Sequence, residues 1–93
     1  MDSDGRQLWF RQTGKPGEVL ELNSFSPKAP DEGEVLVRIA AAPINPADLN
    51  TIEGTYGVKL ELPAVPGMEG CGVVEASASD DFQAGDHVMF LRR

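Results

Sequence analysis

The chain has 93 residues, of which fifteen are acids and eight are Lys or Arg, for a net charge of -7. That length is enough for one domain at most, near the lower end of what buries a self-sufficient core. The negative balance repels phosphate backbones and anionic lipid, and with no basic cluster to override it, nucleic-acid and membrane partners are excluded. A single cysteine, Cys71, forms no internal disulfide and supplies no multi-cysteine zinc site, which suits a reducing, cytoplasmic setting. Met1-Asp2-Ser3-Asp4-Gly5 is acidic where a signal or transit peptide would be basic. No stretch approaches the roughly 20 apolar residues of a membrane span.

Residues 7–10 read as a short strand, followed by turn chemistry in Thr13-Gly14-Lys15-Pro16-Gly17. Val19, Leu20 and Leu22 form a second strand, so the two are expected as an antiparallel hairpin. Pro27 and Pro30 make residues 26–33 a surface loop. Residues 34–42 are the clearest strand, with Val35, Val37 and Ile39 alternating with Leu36, Arg38 and Ala40. Its continuation through Ala41, Ala42 and Pro43 into Ile44 is small and apolar, as a buried segment would be.

Asn45 suits an N-cap, Pro46 the first helical position and Gly54 the residue past the end, predicting a helix of about two turns. Leu49 and Ile52 are expected on its buried face, with Asp48 and Asn50 at the margins. Residues 60–66 read as extended, because Pro63 and Pro66 push their predecessors out of helix. Another strand is expected over residues 69–76, where Gly70 and Gly72 reduce bulk for a close neighbour. A turn at 80–86 leads to a last strand at 87–91. Loops rich in backbone-shaping residues carry sites, and between residues 45 and 72 the polar side chains Asn45, Asp48, Asn50, Tyr56 and Glu69 stand out.

A strand ending Ala-Ala-Pro-Ile-Asn45-Pro-x-Asp48, then Gly54-x-Tyr56, then Leu-Pro63-x-Val-Pro-Gly67-x-Glu69-Gly-x-Gly72-x-Val, then Gly85-Asp86-x-Val88 resembles the N-terminal GroES-like domain of medium-chain dehydrogenases and reductases. The resemblance covers nearly all of residues 1–93. It implies a mainly β fold, a GroES-like partly open β-barrel with one short helix, forming the N-terminal part of a catalytic domain. The family binds NADPH on a following Rossmann domain. Gly67-Met68-Glu69-Gly70-Cys71-Gly72 is not that domain's fingerprint, since its glycines are misspaced and it precedes a strand. The chain is therefore expected to be a fragment whose own Rossmann domain lies outside it, inactive alone, with a homodimer among the assemblies the resemblance admits.

Zinc alcohol dehydrogenases place a cysteine where Asn45 stands and a histidine where Met68 stands. Neither replacement is a competent ligand, so no metal is expected. Cys71 is offset by three residues from the histidine position, and Met68 reads as apolar filling. This chain resembles the zinc-free branch of NADPH-dependent quinone reductases and 2-enoyl thioester reductases. Asn45-Pro46-x-Asp48-x-Asn50-x-Ile52-x-Gly54-x-Tyr56-Gly57 with Glu61-Leu62-Pro63-Ala64-Val65 is closer to the enoyl reductases. The resemblance implies that Tyr56 is the catalytic hydrogen-bond donor and that Asn45 lies by the nicotinamide end of the cofactor. Substrate-side or positioning roles fall to Asp48, Asn50 and Glu69. Against these stand plainer readings: Tyr56 packing a turn, Asn45 only capping the helix, Glu69 only anchoring a strand, and His87 a surface or half-buried residue. Of other classes, a non-catalytic β-rich binding module remains open. A co-chaperonin would need a mobile hydrophobic loop that residues 27–33 do not resemble.

Overall fold

The computed structural model describes residues 5–57 and 60–91. In chain order these form β1 (Gly5–Phe10), α1 (Pro16–Val19), β2 (Leu20–Phe25), β3 (Val35–Ala41), α2 (Pro46–Glu53), β4 (Glu69–Ser77) and β5 (His87–Leu91). The mainly β expectation holds, with the strands in two open sheets. The strand at residues 34–42, the helix after Asn45 and the last two strands fall where the residue pattern put them. Helix α1 is an addition. Pro16 at its first position and Val19 at its end turn the predicted turn-and-strand junction into a single helical turn, and Val19 leaves the strand.

The chain's contacts divide it into two compact units, residues 1–26 with 44–67, and residues 27–43 with 68–93. In the first, β1 and β2 pair antiparallel, with Leu8 opposite Leu22 and Phe10 opposite Leu20. Phe10, Val19 and Ile52 are the buried core, and Leu20, Leu60 and Ala64 pack against it. Phe10 and Ala64 exchange both backbone hydrogen bonds, at 2.9 and 3.0 Å, which ties the extended segment carrying Ala64 to the end of β1. The Gly14 N–H donates to the Ile52 carbonyl at 3.0 Å and fastens the loop after β1 to α2.

In the second unit β3, β4 and β5 form an antiparallel sheet in that order. Val74, opposite Val37, is its fully buried side chain. The expectation of close approach at Gly72 is met directly. A Cβ there would run into the Arg38 carbonyl oxygen of β3, beside the register shift between Ile39 and Ala41. Across the same two strands the Arg38 guanidinium pairs with Glu75. His87 is exposed, as anticipated.

Two burial expectations are corrected. Residues 41–44 are not a buried run: each is exposed, Ile44 to 80%. Small apolar side chains permit burial without requiring it, because a strand is covered only where another layer is laid on it. In β3 only residues 35–37 are half-buried, and Ile39 is exposed, so its alternation did not translate into one covered face. The second correction, in α2, belongs with the site.

Candidate functional site

Four of the five polar side chains singled out by the sequence lie on or next to α2. The N-cap is Asn45, in an extended conformation at φ -102° and ψ 152°, and Pro46 takes the first helical position. Asp48, at the third, reaches back so that its Oδ2 accepts the Asn45 backbone N–H at 2.9 Å, the returning arm of a capping box. That bond turns Asp48 inward. The residues α2 buries are consequently Asp48, Thr51 and Ile52, at the i, i+3, i+4 spacing of one helix face. Leu49, expected on that face, is 41% exposed, and Asp48, expected at the margin, is 6% exposed. Ile52 is buried as expected, while beside it the inward place expected for Leu49 is taken by Asp48, whose carboxylate serves the backbone N–H at the cap.

The other end of α2 is organised around one carbonyl. The Asn50 oxygen accepts the backbone N–H of Gly54, of Thr55 at 2.9 Å and of Tyr56 at 3.3 Å. Gly54 is left-handed at φ 84°, the conformation that lets the chain leave the helix while its N–H turns back. A Cβ added there would lie 3.1 Å from Thr13, so the position is restricted by backbone and by neighbour. Tyr56 thus sits half-buried and tethered through its main chain to the last turn of α2. Asn50 itself is exposed, and what the structure gives it is this backbone role. The plan in which α2 spaces Asn45 from Tyr56 follows: eight residues at 1.5 Å each make a rod of about 12 Å.

Thr51 was not singled out from sequence. Its hydroxyl donates to the Ala47 carbonyl at 2.8 Å, which lets a polar side chain sit in the buried face. A threonine one position before the apolar Ile52, in a helix whose third residue is acidic, was the available signal.

Glu69 belongs to the second unit. It opens β4 opposite Leu91 and is half-buried, a position that suits anchoring the strand. Cys71 is exposed on the same strand, opposite Met89. Among the described residues no group of three or more His, Cys, Asp or Glu side chains could hold a metal. The amide of Asn45 and the thioether of Met68 do not fit zinc's preference for thiolate and imidazole.

Residues 31–92 match the model of the alcohol dehydrogenase GroES-like domain. The chain is 47% identical, over 86 residues, to a Caenorhabditis elegans protein named mitochondrial enoyl-[acyl-carrier-protein] reductase, covering 90% of this chain and 25% of the relative. Among solved structures, Escherichia coli quinone oxidoreductase complexed with NADPH superimposes with a TM-score of 0.84 at 32% identity, over 95% of this chain and 27% of that one. The Etr1p/NADP/crotonyl-CoA complex does so with a TM-score of 0.81 at 28% identity, over 94% and 28%. The chain spans about a quarter of the length of the curated relatives it matches. The cytoplasmic expectation is overturned by these relatives, which are mitochondrial by name. A lone cysteine separates reducing from oxidising compartments and not one reducing compartment from another. Fold, motif order and the match over residues 31–92 agree, and the chain belongs to the alcohol dehydrogenase GroES-like domain family.

Proposed function

We propose that this chain is the N-terminal, substrate-side part of a mitochondrial, zinc-independent reductase that uses NADPH to reduce the C=C bond of 2-enoyl thioesters. One observation carries the reading. A single short helix holds Asn45 at its start and the backbone of Tyr56 at its end, in a chain 47% identical to an enoyl reductase. When bound, NADPH supplies the hydride, and it is held mainly by a Rossmann domain outside this chain. Adding hydride to the β-carbon builds negative charge on the thioester oxygen, which must be met by a positioned donor. The Tyr56 phenol does this and can pass its proton on. The Asn45 amide, donor and acceptor at once, suits the polar edge of a nicotinamide. Asp48 holds the helix start to which Asn45 belongs, and the Asn50 carbonyl holds Tyr56's main chain. Glu69 fixes the opening of β4.

The test is NADPH oxidation by the protein at its natural length, with a crotonyl-type thioester and with a simple quinone. Efficient thioester reduction is expected. A second reading, quinone reduction, is favoured by the likeness to the Escherichia coli enzyme. Turnover of quinone alone would establish it, and no turnover of either would leave a non-catalytic β-rich binding module. A homodimer is part of the same proposal and is checked by sedimentation.

The donor set leads to a further expectation. Chelator-washed protein should contain zinc well below one equivalent by elemental analysis, because Asn45 and Met68 occupy the positions of the ligands. Stoichiometric zinc would remove the zinc-independent assignment.

A further inference from the structure

Asp48 is the one buried acid of the described residues, and its two oxygens are treated unequally. Oδ2 accepts the Asn45 N–H. Oδ1 is shielded from solvent and has no hydrogen-bond partner among the described residues. Thr51, a turn further along the same face, directs its hydroxyl to Ala47 and so brings no proton to Oδ1. Of the described cations in the same unit, Arg11 lies against Glu21 and over Trp9, and Arg6 and Lys15 are exposed. The dipole at the N-terminus of a two-turn helix offsets only part of the cost of burying a charge. Buried carboxylates are paired or hydrogen-bonded on both oxygens, and a lone water would satisfy the lone pair while leaving the charge uncompensated.

We propose that Asp48 is a positioning residue whose Oδ1 receives a lysine ammonium or arginine guanidinium from a part of the protein beyond the described residues, locking α2 in place through a buried charge pair. The capping arm fixes one oxygen to the helix, and the other is left pointing at the cation. The inference stands whether or not the protein reduces enoyl thioesters, since it concerns how α2 is held and not what is turned over.

The sign of one substitution decides it. Asp48→Asn keeps an oxygen for the Asn45 N–H and nearly the same shape, but sets an NH2 against the cation. Loss of one partner of a buried pair is strongly destabilising, so the unfolding equilibrium of the natural-length protein should shift toward the unfolded state by on the order of a hundredfold. If no cation is there, the neutral amide relieves a buried charge, and Asp48→Asn is as stable as the parent or more so, which would overturn the proposal. A shape-only role is separated by rescue: formate, but not formamide, should restore stability to Asp48→Ala. Should neither variant fold, an experimental structure of the parent decides. A Lys or Arg nitrogen within about 3.2 Å of Oδ1 agrees with the proposal, and a water or an apolar atom there refutes it.

Discussion

Tyr56→Phe is expected to lower turnover of a crotonyl-type thioester by on the order of 10²-fold, the usual consequence of removing one donor from a developing oxyanion. On the proposed reading, in which a domain outside this chain holds the cofactor, NADPH affinity, measured separately by fluorescence, should change little. Quinone reduction should suffer less, since a readily reduced quinone depends less on a dedicated acid. The structure makes this a clean substitution. Tyr56 is tied to α2 through its backbone N–H on the Asn50 carbonyl, a bond that a phenylalanine main chain keeps. Phenylalanine therefore keeps the loop and loses only the donor. Steady-state kinetics that leave the thioester rate intact would take Tyr56 out of the mechanism. Equal losses on both substrates would make it a general positioning residue.

The largest effect on stability is expected at Phe10. It is 1% exposed, it packs with Val19 and Ile52, and its main chain exchanges both hydrogen bonds with Ala64. Phe10→Ala should cost about 3–5 kcal/mol, the loss of transfer free energy together with the cavity left behind. That is a large share of a typical domain's whole stability of about 5–15 kcal/mol. The vacancy opens directly against Ile52, the apolar residue by which α2 is seated, so the spacing of Asn45 and Tyr56 should loosen as stability falls. The check is the midpoint of urea unfolding compared at unchanged slope, with thioester turnover measured below the transition. A cost under about 1 kcal/mol would mean that Phe10 does not hold this core, given what buried aromatic deletions ordinarily cost.

Residues acting through local backbone chemistry were legible without the fold. Asn45, Pro46 and Gly54 bounded α2 because cap, first-turn and left-handed exit preferences are properties of single residues and their own main chain. The strand pattern around Val35, the two final strands and the tight spot at Gly72 belong to the same class, as steric preferences carried by the chain itself. Four ordered motifs, taken together, also identified the family before any coordinates did. Which side of an element is covered was decided only by tertiary structure. Nothing in the helical spacing distinguishes Leu49 from Asp48 as the inward residue until the Asn45 N–H takes the carboxylate, and nothing in the composition of residues 41–44 says whether another layer lies over them. The Oδ1 of Asp48 is a fact of the same kind: an acid at the third position of a helix announces a cap, but only its surroundings show that one oxygen satisfies the helix while the other is buried without a hydrogen-bond partner among the described residues.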